Sequence, residues 1–221
     1  ILLATDRDAY ARLSTLLTVG RRNAPKGDCY LNLRDIEDHS EGLLALTLAA
    51  NVSTKNTSAS NRHVSADWLM NVFSERCWML AELQLGPRDA TLLSNWQQLS
   101  TQTKIPMVAA NDVHYHVRER QRLHDVLTAI RHGTTVELLG DRRFANAERY
   151  LKSTHELQSM FAGSPELMER TVEIASLCSF SMDQLQYEYP VELVPDGMTS
   201  IEHLSNLTWS GARDRYPNGV P

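Results

Sequence analysis

The stretch VAANDVHYHVRERQRLHD, residues 108–125, contains three histidines, two aspartates and three arginines. Within it, Asp112 and His114 are separated by one residue and closely follow the apolar run at residues 105–110. A carboxylate oxygen and an imidazole nitrogen together suit Zn²⁺, Mn²⁺ or Fe²⁺ better than Ca²⁺. Two interpretations stay open: both residues bind a metal, or Asp112 caps a helix or turn and His114 is a hydrogen-bonded loop side chain.

A catalytic metal here would need ligands from elsewhere in the chain, because such ions use at least three protein ligands. His116 is two residues further on and would share one side of an extended segment with the Asp-x-His pair. Glu82 lies in a preceding apolar run, and His39 and His63 lie in predicted loops. Spacing alone selects none of these four residues.

The other polar motifs indicate surface positions. His124 and His132 fall in a predicted helix, where surface or interface positions are more typical than metal ligation. The arginines at 118, 120 and 122 could contact phosphates, but neighbouring carboxylates dilute their charge, which favours a solvated helix start. The sequence has no GxSxG, Walker or GxGxxG motif, so these hydrolase, P-loop and dinucleotide-binding classes lack support.

Apolar runs and helical periodicity alternate along the first part of the chain, which predicts parallel βα units. Because active groups in such folds collect where strands end, the position of the Asp-x-His pair is typical of a functional site. The predicted strands are residues 1–4, 43–48, 77–85 and 105–110, and the predicted helices include one capped by Asp6, residues 65–74, 89–103 and 119–132.

After about residue 135 the pattern becomes mainly helical. Two helices are predicted in NAERYLKSTHELQSMF and SPELMERTVEIASLCSF, the second opened by Ser164 with Pro165 at its first position. A connector then leads to a last helix at about residues 199–215, and residues 51–61 form a predicted polar loop.

Composition limits the class of protein. The 221 residues suit one large domain or one domain with an appendage, and 42% hydrophobic residues can form a substantial core. A net charge of -5 argues against a general nucleic-acid surface. Three dispersed cysteines favour a reducing, cytoplasmic location, and no run resembles a membrane span or signal segment. The apolar start suggests a piece of something larger.

Several stretches resemble the N-terminal PHP (polymerase and histidinol phosphatase) domain of bacterial C-family DNA polymerases. They are CWMLAELQLGPRDA, IPMVAANDVHYHVRERQRLHDVLTAIRHGTTV, NAERYLKSTHELQSMF and FSMDQLQYEYPVELVP, in the family's order, preceded by ILLATDRDAYARLSTLLTVGRRNAPKGD. The chain is more similar to the error-prone, damage-tolerant paralogue than to the replicative polymerase III alpha subunit. The resemblance covers nearly the whole chain.

The resemblance implies an α/β fold: a distorted β/α barrel of PHP type over residues 1–135, incomplete at its N-terminus. A mainly helical segment, residues 136–221, would lead towards the polymerase palm. The family's last metal motif maps onto Asp112 and His114, which implies a residual Zn or Mn site. Gln84 and Leu85 stand where some members carry a histidine ligand, the family's opening His-x-His would lie upstream of Ile1, and LTLAANVSTKN shows no clear ligand.

The implied function is that of an error-prone DNA-directed DNA polymerase, a nucleotidyltransferase acting in replication, repair and translesion synthesis. Its Mg²⁺-binding aspartates would lie downstream of Pro221, so this piece would be structural. The implied partners are DNA, dNTPs and other replication or repair proteins, without a membrane, in the cytoplasm. The alternatives are a metal-dependent phosphoesterase or 3′–5′ exonuclease-like proofreading domain, and a non-catalytic interaction module.

Overall fold

The computed structural model describes residues 1–54, 63–186 and 194–219, which fall into two units, Ile1–Gln184 and Leu185–Pro221. Within the described residues the strands are β1 (Leu2–Ala4), β2 (Leu43–Leu48), β3 (Val52–Ser53), β4 (Val64–Ser65), β5 (Cys77–Glu82) and β6 (Met107–Ala110). The α-helices are α1 (Arg7–Arg22), α2 (Leu33–Asp38), α3 (Ala66–Phe73), α4 (Asp89–Thr103), α5 (Gln121–Arg131), α6 (Thr154–Met160), α7 (Glu166–Leu177) and α8 (Ser200–Arg215).

The main sheet has the strand order β1–β2–β5–β6. Strands β2, β5 and β6 are parallel, with Ala45 opposite Cys77 and Met79 opposite Met107, which confirms the predicted βα units. Strand β1 departs from this pattern, since it pairs antiparallel to β2 at the sheet edge. The chain is therefore a mixed α/β protein with a largely parallel sheet. Closure of this sheet into a barrel stays a prediction.

Apolar residues cover both faces of the sheet, as expected for parallel strands flanked by helices. Alternate positions on each strand point to opposite faces. One face buries Leu43, Met79 and Met107 in a cluster with Phe73 and Phe161. The opposite face buries a smaller cluster: Leu44, Trp78, Leu80 and Val108 from the strands with Ile174 from α7.

Most predicted elements of this unit are confirmed. Asp6 caps α1, its Oδ1 accepting a hydrogen bond of 2.8 Å from the Ala9 amide. Strand β2 and helix α4 have the predicted bounds. Helix α2 was not predicted, although Asn32 and Asp35 form a reciprocal capping box at its start. With six residues it is too short to show helical periodicity.

The two helices that follow residue 135 differ from their predictions. Helix α6 begins only at Thr154, because Ser153 and Glu156 form a capping box there, so residues 146–152 of the predicted helix are not helical. Helix α7 begins at Glu166, and the Ser164 hydroxyl does not cap it. That hydroxyl instead accepts a hydrogen bond of 2.9 Å from Gln97 Nε2 of α4.

Helix α7 belongs to the same unit as the sheet. It packs beside β6, and Arg170 Nη1 donates a 2.8 Å hydrogen bond to the carbonyl oxygen of Met107. The compact unit therefore runs to Gln184 and does not end near residue 135. The predicted division into a PHP portion, 1–135, and a segment leading to a palm, 136–221, concerns the parent protein and stays a prediction.

The second unit contains α8, which matches the helix predicted at about residues 199–215. Most of the predicted polar loop at 51–61, from residue 55 onward, and residues 187–193 of the predicted connector lie outside the described residues. Of the helices described, none has the length and apolar character needed to cross a membrane.

Candidate functional site

The carboxyl ends of β5 and β6 lie side by side and position the candidate site. Glu82, the last residue of β5, is in register with Ala110, the last residue of β6. The chain leaves β6 through Asn111 and Asp112 and reaches His114 two residues later. The Asp-x-His pair therefore lies at the strand edge where α/β proteins gather functional groups, as the sequence predicted.

Asp112 turns the chain immediately after the strand. Its φ of +46° lies in the left-handed region, which Asp and Asn tolerate better than other non-glycine residues. Its Oδ1 lies 3.1 Å from His114 Nε2, so the two predicted residues are in contact. The expectation of one continuous extended segment is wrong at Asp112, and His116 is exposed, beside Leu123 and Leu127 of α5.

The second oxygen of the Asp112 carboxylate has a partner that the sequence did not indicate. Arg149 Nε donates a 2.6 Å hydrogen bond to Asp112 Oδ2 and forms an ion pair with it. The Asp112 side chain is 33% exposed and that of Arg149 22%, so the pair is partly shielded from water. A positive guanidinium thus lies against the carboxylate on which a metal site would depend.

Aromatic rings hold Arg149 and His114 in place. The Arg149 guanidinium lies 4.0 Å from the centroid of the Phe144 ring, a cation–π contact. Phe144 stacks on His124 with 4.8 Å between centroids, and the His114 ring meets both in edge-to-face contacts. His124 thus packs against Phe144 and His114, while its buried Nδ1 has no hydrogen-bond partner among the described residues. Burial lowers the pKa of His124, with a further contribution from the neighbouring His114.

Glu82 belongs to the same electrostatic neighbourhood. Burial raises the pKa of its carboxyl, and the negative charge of Asp112 raises it further, while Arg149 opposes both effects. Two carboxylates at adjacent strand ends therefore share one nearby guanidinium. Two neighbouring negative charges are stabilised by a nearby cation, and Arg149 is that cation.

The segment that carries Arg149 is fastened over the strand ends by amide side chains. Asn111 Nδ2 donates to the carbonyl oxygen of Tyr150 at 2.6 Å, and Lys152 Nζ donates to Asn111 Oδ1 at 3.1 Å. Asn146 Nδ2 donates to the carbonyl oxygen of Gln84 at 2.6 Å. Residues 144–152, called the clasp below, therefore bind the loops that follow both β5 and β6.

Gln84 and Leu85 occupy the place where the resemblance implies a possible histidine ligand. Gln84 Nε2 approaches the Asn111 carbonyl oxygen at 3.5 Å, and its Oε1 is buried without a hydrogen-bond partner. Leu85 is exposed and has a φ of +51°. An amide oxygen and an exposed leucine do not replace an imidazole as a ligand for Zn²⁺.

A cleft of about 440 Å³ opens beside these groups, lined among others by Glu82, Gln84, Trp96, Arg143 and Arg149. Within residues 1–54, 63–186 and 194–219, no group of three or more His, Cys, Asp or Glu side chains is placed to hold a metal ion. Two donors and a competing guanidinium do not fit a catalytic metal centre. Metal binding by Asp112 and His114 stays a prediction.

Curated proteins similar to this chain include several error-prone DNA polymerases. The chain is 42% identical over 227 residues to the error-prone DNA polymerase of Rhodopirellula baltica, with all of the chain and 20% of that protein covered. The corresponding enzyme of Caulobacter vibrioides is 40% identical over 216 residues, 98% of the chain and 20% of that protein. That of Pseudomonas syringae pv. tomato is 42% identical over 221 residues, 100% of the chain and 21% of that protein.

This chain is homologous to part of the error-prone DNA polymerases. The predicted resemblance to error-prone DNA polymerases is thereby confirmed, while no protein-family model matches the chain. The chain spans about one fifth of the length of these relatives. Their names apply to whole polymerases, whereas this chain corresponds to one portion of them.

Proposed function

We propose that this chain is the PHP domain, of distorted β/α-barrel type, of an error-prone DNA-directed DNA polymerase. The observation that carries the proposal is identity of about 40% along the whole chain with polymerases five times its length. The complete protein would use DNA and dNTPs in the cytoplasm, in translesion synthesis during replication and repair. Its Mg²⁺-binding carboxylates would lie outside this chain, since nucleotidyl transfer needs clustered carboxylates holding two ions.

Within that polymerase, the role we propose for this portion is structural. The Arg149 guanidinium neutralises Asp112 and lies near Glu82, so the strand ends are electrostatically balanced without an ion. The clasp closes over the same strand ends through Asn111 and Asn146. Because Arg149 already neutralises the carboxylate that a metal would need, this site favours a structural role over phosphoesterase activity.

A second candidate is a metal-dependent phosphoesterase, such as a 3′–5′ exonuclease-like proofreading domain. The contact of 3.1 Å between Asp112 and His114 at a strand end favours it. This function would need Zn or Mn with a third ligand and a water molecule at the metal. Such a ligand would have to come from outside the described residues.

Primer extension by the complete gene product that contains this chain tests the proposal. Purified protein should extend a primer on an undamaged template and past an abasic site, in the presence of Mg²⁺ and dNTPs. A His114→Ala variant should extend equally well, because the ion pair between Asp112 and Arg149 remains. A His132→Ala variant, changed at an exposed histidine, is the matched control.

The same preparations distinguish the two candidates when dNTPs are omitted. A scaffold should leave the labelled primer intact, with no difference between the wild-type protein and either variant. Excision of the 3′ end that is lost in His114→Ala and retained in His132→Ala would establish the phosphoesterase instead. Absence of any primer extension by the folded complete protein would refute the polymerase assignment.

A further inference from the structure

Helix α5 turns its apolar stripe towards solvent. Leu123, Val126, Leu127 and Ile130 recur at the i, i+3, i+4, i+7 spacing of one helix face, and they are 47%, 43%, 56% and 69% exposed. In a helix at the surface of a globular unit, this stripe normally faces the core. Here the orientation is reversed.

The opposite, polar face of α5 explains the reversal. Asp125 is only 2% exposed and forms an ion pair of 2.9 Å with Arg143 Nε. Gln121 Nε2 donates hydrogen bonds of 3.2 and 3.1 Å to the carbonyl oxygens of Phe144 and Asn146 in the clasp. Rolling the helix to bury its apolar stripe would break these bonds and leave their polar groups unsatisfied. The exposed stripe is therefore fixed by the fold.

The apolar surface continues beyond the helix. Leu138, in the 3₁₀ turn that follows α5, is 73% exposed. A hollow of about 250 Å³ lies beside the stripe, and its lining includes His116, Arg120, Leu123 and Leu127. The name α5 face is used below for this surface, which consists of His116, Arg120, Leu123, Val126, Leu127, Ile130 and Leu138. Contiguous exposed apolar surface of this kind marks a binding site for another protein surface.

The charged residues around the α5 face indicate the chemistry of its partner. Arg122 and Arg131 are exposed on the same helix, whose one carboxylate, Asp125, is buried, and the 3₁₀ turn before it carries the exposed pair Glu119 and Arg120. A symmetric pair of such faces would bring arginines of two copies together, which disfavours a second copy. The face instead suits a surface that is apolar at its centre and carries Asp or Glu at its margin, since interfaces combine apolar cores with polar rims.

We propose that the α5 face packs against the remaining part of the same polymerase chain, through an apolar surface bordered by carboxylates. The inference rests on the proposed function, since relatives extend far beyond the one fifth that this chain matches. The interface would fix this unit on the polymerase through α5. The clasp would then support α5 from behind, through the Phe144 and Asn146 carbonyl oxygens that accept from Gln121.

Thiol labelling in the complete gene product tests the interface. Ile130→Cys and Val172→Cys are compared in a Cys29→Ser background, because Cys29 is an exposed thiol. Ile130 and Val172 are both 69% exposed, on α5 and α7 respectively, so the second is a matched control. We expect Ile130→Cys to react at least about tenfold more slowly than Val172→Cys, because labelling then requires the interface to open. In urea both should react alike.

Equal labelling rates in the native protein would overturn the inference. Protection of Ile130→Cys that disappears on dilution would also overturn it, since a second copy would then cover the face. Primer extension by the same preparations separates this inference from the proposed function. A protein that extends primers with a reactive Ile130→Cys refutes only the interface, and a protected thiol without DNA synthesis refutes only the polymerase assignment.

Discussion

Arg149 and Asp112 lie 37 positions apart in the sequence, yet the guanidinium Nε of one is 2.6 Å from the carboxylate Oδ2 of the other. This bond joins the clasp to the turn that follows β6. It gives the predicted metal ligand Asp112 an internal cation, and it orients the carboxylate so that the remaining oxygen meets His114.

Replacing Arg149 by Met should destabilise the protein by about 1–3 kcal/mol, because Asp112 would lose a charged hydrogen bond in a partly shielded position. Urea unfolding followed by circular dichroism measures the change. Arg12→Met is the control, since Arg12 and Glu41 form a 3.0 Å ion pair with side chains 35% and 82% exposed. That variant should stay within about 0.5 kcal/mol of wild type. Similar losses in both would mean that the clasp pair is an ordinary surface pair.

Removal of Arg149 should also uncover the metal-binding capacity of the Asp-x-His pair. In Arg149→Ala, Asp112 and His114 lose the cation that repels a metal ion, so Zn²⁺ affinity should rise at least about tenfold. Isothermal titration calorimetry of wild-type protein, Arg149→Ala and Arg149→Ala with His114→Ala measures this. The double variant should lose the gain. Tight, stoichiometric Zn²⁺ binding by the wild type would show that Arg149 does not replace the ion.

The ion pair between Asp125 and Arg143 should be more costly to break, because Asp125 is almost fully buried. Arg143→Met leaves this carboxylate without its partner and should destabilise the protein by about 2–4 kcal/mol. Adding Asp125→Asn should restore part of the loss, since no unpaired charge then remains. Arg142→Met, at the exposed neighbouring position, is the control for thermal unfolding. If adding Asp125→Asn to Arg143→Met lowered the stability further, the unpaired charge would not be the cause of the loss.

Glu156 should make stability depend on acid pH. Hydrogen bonds from the Tyr150 hydroxyl and from Ser153 lower its pKa from 4.5 to about 2. Because the folded state has the lower pKa, the stabilisation is complete above pH 4.5 and is lost as pH falls towards about 2. Melting curves of wild type and Glu156→Gln should differ near neutral pH and converge at about pH 2.

The exposed carboxylate Glu166, at the start of α7, provides the control for that pH series. A Glu166→Gln variant also removes one negative charge but none of the bonds made by Tyr150. Its melting temperature should follow that of the wild type as the solution is acidified. A constant difference between wild type and Glu156→Gln at all pH values would contradict the lowered pKa.

Sequence periodicity was sufficient for the elements that bury a regular pattern. The apolar run of β2 and the in-phase apolar residues of α4 predicted both elements with their bounds. For α5, the same periodicity predicted a helix but not which side faces the core. The buried polar side depends on Arg143 and the clasp carbonyls, which no local pattern reveals.

The candidate site could be predicted only in part for the same reason. Asp112 and His114 are two residues apart, and their contact follows from local spacing. Arg149 comes from a non-helical segment that periodicity assigned to a helix, so its approach to Asp112 could not be seen. The useful signal was Ser153 followed by Glu156, a capping box that places the helix start after Arg149.

The hydrogen bond from Arg170 to Met107 has a consequence for aggregation. The Pro106 carbonyl accepts from Met79 on β5, so the next carbonyl along the strand, that of Met107, points away from the sheet. Within the described residues β6 pairs with β5 alone, and a bare strand edge invites another chain to add to it. Arg170 occupies the outward acceptor with a charged side chain. Because a charged side chain already holds one acceptor of this four-residue strand, we expect Arg170 to hinder the strand addition that leads to amyloid-like association.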